Sequence, residues 1–204
     1  MKNYIICLLA LPLFLAACQP ASQNEQKPQP AEAKAAVPQP SEEELAESLF
    51  QLPDTFRNQD DQPVVLADFK GKPMVVSMIF THCAFVCPRL TADIRQMEQH
   101  MGEEAGKVNF VLVSFDADRD LPARLKQYAK EQQLDQNFTL LHGSEGAVRN
   151  LGVLLDIQFE KDEDGNFAHS NIVTVLDPYG IVRYRKEGLG QDHTQTIREV
   201  EKYL

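Results

Sequence analysis

The sequence has no tryptophan, no run of lysines or arginines, and only four cysteines. The first absence decides little, since 11 phenylalanines and 5 tyrosines supply aromatic bulk. The second argues against a nucleic-acid partner. Binding a phosphate backbone requires a clustered positive footprint, and here 30 acidic residues outweigh 20 basic ones for a net charge of −10. Nor does any apolar stretch reach the roughly 20 residues a helix needs to span a bilayer; the stretch from Tyr4 to Ala17 falls short and contains Pro12. No internal repeat is visible. With 43% hydrophobic and 25% charged residues, the 204-residue chain has the balance of one globular domain with extensions.

Lys2 followed by the apolar stretch has the form of a secretion signal, and Leu15-Ala16-Ala17-Cys18 places small residues just before a cysteine. This resembles the lipobox of bacterial lipoproteins. The resemblance implies that residues 1–17 are a lipoprotein signal peptide and that Cys18 carries lipid after cleavage. The expected location is the cell envelope, anchored to a membrane and facing the periplasm or extracytoplasmic space. From Gln19 to Glu44 more than half the residues are Pro, Gln or Ala and none is aromatic, so there is little to bury. Residues 18–46 read as a lipidated cysteine and a disordered tether, with a flexible reach of roughly 28 Å and an extended one of about 80 Å. At its end Ser41-Glu42-Glu43-Glu44 has the pattern of a capping box leading into a short helix.

Residues 47–204 form the expected domain. Strands are predicted at Pro63 to Leu66, Met74 to Phe80, Val108 to Phe115, Phe138 to Leu141, Asn171 to Leu176 and Ile181 to Lys186. Helices are predicted from Pro88 to Met101, Pro122 to Gln133, Ser144 to Leu154 and Thr194 to Leu204, with a hairpin around Asp162 to Asn166. The order joins a parallel half to an antiparallel half in one mixed central sheet flanked by helices. That is the order of the α/β thioredoxin-like fold.

With Cys7 in the signal peptide and Cys18 lipidated, Cys83 and Cys87 are the remaining thiols. They lie in Phe80-Thr81-His82-Cys83-Ala84-Phe85-Val86-Cys87-Pro88, after a buried strand and at the mouth of a helix, where the helix N-terminus favours thiolate. Two such sulfurs can close a disulfide or hold a soft metal. A structural disulfide across three residues restricts the unfolded chain little, and no second Cys or Cys-His cluster completes a four-ligand zinc site. Thiol oxidoreductases of this fold place a cis proline beside the cysteine loop, and the joint here has none; Phe167-Ala168-His169-Ser170-Asn171 puts a histidine there instead. Its imidazole completes a two-sulfur, one-nitrogen donor set suited to Cu(I) in a trigonal and Cu(II) in a tetragonal arrangement.

The CxxxCP loop, the stretch Val113-Ser114-Phe115-Asp116-Ala117-Asp118-Arg119-Asp120, and His169-Ser170 leading to Leu176-Asp177-Pro178-Tyr179-Gly180 together resemble the Sco/SenC family of copper-binding proteins. The resemblance implies that Cys83, Cys87 and His169 bind copper. It also implies that the protein passes the metal to the CuA centre of a cytochrome oxidase subunit, or reduces that centre's cysteines, with an upstream copper donor or thiol reductant. Ala84-Phe85 stands where the family often has Pro-Asp, which removes a negative charge beside the sulfurs and puts an apolar tip on the docking face. The alternative is a thiol-disulfide oxidoreductase or peroxide-stress protein that uses Cys83 and Cys87 without copper. His82 reads as a surface or packing residue, and His100 and His193 as helix-end residues; His142 has no assigned chemistry. Asp116, Asp118 and Asp120 lack the glycine and terminal glutamate of a calcium loop and read as a loop ion pair or support for the cysteine loop.

Overall fold

The computed structural model describes residues 39–190 and 192–204. The signal peptide, Cys18 and most of the tether lie outside the described residues. The body opens with α1 (Glu42–Ala46), where Ser41 Oγ accepts from the Glu44 N–H and the Glu44 carboxylate accepts from the Ser41 N–H, the capping box foreseen in the sequence. Arg183 fastens this helix to the sheet by pairing with Glu44 at 2.9 Å and Asp177 at 2.8 Å. The folded body therefore includes Ser41 to Ala46, ahead of the Glu47 boundary read from the sequence.

The strands are β1 (Thr55–Asn58), β2 (Pro63–Val65), β3 (Met74–Ile79), β4 (Asn109–Ser114), β5 (Phe138–His142), β6 (Phe159–Lys161), β7 (Phe167–His169), β8 (Ile172–Leu176) and β9 (Val182–Glu187). Seven of them form one sheet in the order β2-β1-β5-β4-β3-β8-β9, while β6 and β7 form a separate hairpin. β3, β4 and β5 run parallel; β8 is antiparallel to β3, and β1 to β5. All six residues of β3 are buried, as a strand covered on both faces requires. This is the thioredoxin-like α/β arrangement expected, with β1 added: Thr-Phe-Arg-Asn carries one apolar residue, Phe56, and it is fully buried.

The helices are α2 (Val86–Met101), α3 (Pro122–Glu131), α4 (Glu145–Leu155) and α5 (Thr194–Glu201). Cys87, Leu90, Ile94, Met97 and Met101 recur at helical spacing on the buried side of α2. This helix begins two residues before Pro88, the expected start. Proline is tolerated there because the first four N–H groups of a helix have no partner within it, and the consequence is that Cys87 sits inside the first turn. In α4, Gly152 lets the chain fold back tightly, for a Cβ there would lie 2.9 Å from the Phe159 ring.

Candidate metal centre

The cysteine loop leaves the end of β3 and becomes α2. Phe85 takes the N-cap position of α2 without a side-chain cap, so the first N–H groups of the helix need another acceptor. The Cys83 sulfur serves: the Cys87 N–H points to it at 3.4 Å. Burial pushes the Cys83 thiol up, but the N–H groups of Cys87, Phe85 and Val86 outweigh it, and the thiol lies below its ordinary value. Cys87 is fully buried and its sulfur accepts the Phe80 N–H at 3.4 Å; burial holds its thiol far above the ordinary value. Both thiols are free.

His169 ends β7, so it rides on the hairpin rather than on a simple joint before β8. Its Nε2 lies 3.6 Å from the Cys87 sulfur. Its Nδ1 lies 3.1 Å from the Ser170 carbonyl oxygen. A carbonyl only accepts, so Nδ1 carries the proton and Nε2 offers its lone pair toward the sulfurs. Burial lowers the imidazole's affinity for a second proton, partly offset by the Ser170 carbonyl, which keeps the ring neutral and able to ligate. The ring is packed by phenylalanines: its centroid is 4.9 Å from that of Phe115 and 6.1 Å from that of Phe80, with Phe159 stacked on Phe115 and Phe167 tilted against it.

The structure places His169 Nε2 beside the Cys87 sulfur, 82 positions away in the chain, and the Cys83 sulfur at the Cys87 N–H; among the described residues these three are not a set whose donor atoms all lie within 4.8 Å of one another. Two thiols and one neutral imidazole nitrogen bordered by aromatic rings are donor types suited to a soft or borderline metal ion. His82, by contrast, points to Asp120 at 3.2 Å and is 43% exposed. Phe85 stands 75% exposed between the two cysteines, an apolar tip beside the donors. His142 and His100 stand on β5 and α2, away from this group. Sequence reading did not single out Phe115 or Arg119 as supports of the site; the signal available was the position of both in the acidic stretch directly after a buried strand.

This fold and loop define a thiol protein of the thioredoxin-like class with a neutral histidine beside its buried cysteine. Comparison with known proteins narrows the class: residues 41–204 match the SCO1/SenC family model, and the chain belongs to that family. It is 34% identical over 92 residues to a SCO1 protein homolog of Bacillus subtilis (strain 168), a match covering 45% of this chain and 48% of the relative, so about half the length of that curated relative is spanned. The fold superposes on a SCO1/SenC family lipoprotein from Bacillus anthracis str. Ames with a TM-score of 0.69 and 29% identity, covering 76% of this chain and 95% of that one. It superposes on ScoI of Bradyrhizobium japonicum, solved with copper bound, with a TM-score of 0.65 and 26% identity, covering 74% and 98%.

Proposed function

We propose that Cys83, Cys87 and His169 bind copper, as Cu(I) or Cu(II), and that the protein is a membrane-anchored copper chaperone for the copper-bearing subunit of a respiratory cytochrome oxidase. The observation that carries the metal reading is the orientation of His169, whose proton-free Nε2 lies 3.6 Å from the Cys87 sulfur while Nδ1 is held by Ser170. When bound, copper supplies an ion that changes oxidation state and ligand preference, which suits transfer between sites. This chain's residues supply two sulfurs, one nitrogen and an aromatic wall behind the imidazole. Family membership supports the delivery role, and the lipobox-like sequence at Cys18 supports anchoring in the cell envelope, facing the periplasm or extracytoplasmic space. The test is Cu(I) competition and Cu(II) optical titration of the reduced full-length chain beside His169→Ala and Cys83→Ser/Cys87→Ser. Equimolar binding is expected, lost for both oxidation states without the cysteines and weakened chiefly for Cu(II) without His169; weak binding of both, indifferent to His169, would overturn the reading.

A second reading rests on the unequal thiols. Cys83 is the accessible thiol with the lowered pKa and Cys87 the buried one with the raised pKa. That is the pattern of an attacking and a resolving cysteine: the Cys83 thiolate opens a substrate disulfide, and Cys87 displaces the mixed disulfide to leave the substrate reduced and Cys83–Cys87 oxidised. Disulfide reduction that persists in His169→Ala would favour this reading; loss with the histidine would favour the metal.

A further inference from the structure

The loop between β4 and α3 touches both halves of the centre. On one side Asp120, fully buried, accepts the Thr81 N–H at 2.7 Å, the Thr81 hydroxyl at 2.5 Å and the Ser114 hydroxyl at 2.6 Å, with His82 Nδ1 at 3.2 Å. This fixes the root of the cysteine loop. On the other side Asp116, also buried, pairs with Arg119 Nε, and Arg119 Nη2 donates to the carbonyl of Gly165 at the tip of the β6–β7 hairpin. Lys161 on β6 pairs with Asp118 at 2.8 Å. His82, Asp116 and Asp120 bring donor atoms within 4.8 Å of one another, but these partners already occupy the two carboxylates, so the cluster reads as a brace.

We propose that Arg119 is a positioning residue for the metal centre: anchored on buried Asp116, its guanidinium grips the Gly165 carbonyl and fixes the hairpin so that His169 faces the cysteines. The proposal rests on the copper reading above. The hairpin shares no ladder with the seven-stranded sheet, so beyond its short link to β8 its place depends on side chains. A planar guanidinium presents Nε and Nη2 in fixed directions and spans Asp116 and Gly165 at once, which a lysine amine does not. Gly165 has φ of +79°, and a Cβ there would meet Arg119 Nη1 at 3.2 Å, so the tip is shaped around the arginine. Because two thiolates alone satisfy soft Cu(I) while Cu(II) draws on imidazole nitrogen, the brace governs Cu(II) retention more than Cu(I).

The test uses the full-length chain as wild type, Arg119→Met, Arg119→Lys and His169→Ala, with Cu(II) and Cu(I) affinities by chelator competition, the Cu(II) paramagnetic resonance spectrum, and thermal melting. Arg119→Met is expected to lose about 10- to 100-fold in Cu(II) affinity, the usual effect of removing a support of a metal ligand. Its spectrum should move toward that of His169→Ala, with Cu(I) affinity unchanged and no rescue by Arg119→Lys. Wild-type Cu(II) affinity and spectrum in Arg119→Met, or an equal loss of both oxidation states, would overturn the proposal. Should Arg119→Met not fold, Gly165→Ala presses on the same contact from the other side and must show the same selective loss. If the wild type takes up no copper, the copper reading falls by itself. The brace is then judged by the His169 ring resonances, which must shift in Arg119→Met; unchanged resonances would overturn it.

Discussion

The cysteines and the histidine that faces Cys87 stand on supports of different construction. The cysteine loop grows from β3, buried along its whole length, and passes directly into α2, whose first turn contains Cys87. The histidine stands on a hairpin of two three-residue strands outside the main sheet, held by phenylalanine rings and by charged ties from the β4–α3 loop. Backbone ladders and the core set the position of the thiols, whereas the nitrogen is placed by a short link to β8 together with side chains on the hairpin. The third donor is therefore the part of the centre that sequence change can retune without disturbing the domain.

The largest contrast is inside the cysteine loop. Iodoacetamide on the native, metal-free protein, read by mass spectrometry, should label Cys83 and spare Cys87. The Cys83 rate should rise at lower pH than for a free thiol, because its lowered pKa populates the thiolate sooner as pH increases. Equal labelling would erase the asymmetry.

Next is Phe115→Ala. It removes a buried ring that packs on His169, Phe80, Phe159 and Phe167, and urea unfolding should register a loss of about 3–5 kcal/mol. A loss far smaller would mean that the hairpin does not depend on its aromatic seat.

Asp120→Ala acts on the other support. It strands the buried Thr81 N–H, at a cost of about 1–3 kcal/mol, and should speed Cys83 alkylation while leaving the His169 ring resonances in place. Movement of those resonances would show that the two supports are not separable. The smallest effect is Lys161→Ala: its ion pair is exposed, 41% for Lys161 and 78% for Asp118, and should change stability by no more than about 1 kcal/mol. A larger change would assign the hairpin's hold to charge rather than to aromatic packing.

Much of this arrangement was legible in the residues. Apolar runs such as Met74 to Phe80 and the turn Asp177-Pro178-Tyr179-Gly180 announce strands and their reversal through local chemistry alone, and the strands appear within a residue of the expected bounds. CxxxC at a strand-to-helix joint and the histidine before the later strand marked the three donors. β1 was not legible, because its single buried residue, Phe56, gives no alternation to read, and its strand exists through pairing with β2 and β5. The support role of Arg119 was hidden for a related reason: its partners, Asp116 and Gly165, are brought together by tertiary structure. Asp120 was closer to view, since support for the cysteine loop is what its contacts with Thr81 provide.

One feature of the sheet reaches beyond geometry. β3, which leads to the cysteines, and β8, which follows the histidine, are hydrogen-bonded neighbours, and the Ser77 hydroxyl donates to the Ile172 carbonyl across 95 residues of chain. A slip of one residue in that pairing would displace the strands by about 3.4 Å and turn every side chain to the opposite face. Contacts so distant in sequence form late, after the entropy of closing a long loop has been overcome. A chain still being threaded or half-folded therefore possesses two thiols but no third donor. A centre that needs all three donors is completed only when the most distant strand pairing is correct, so loading it would attest that folding has finished.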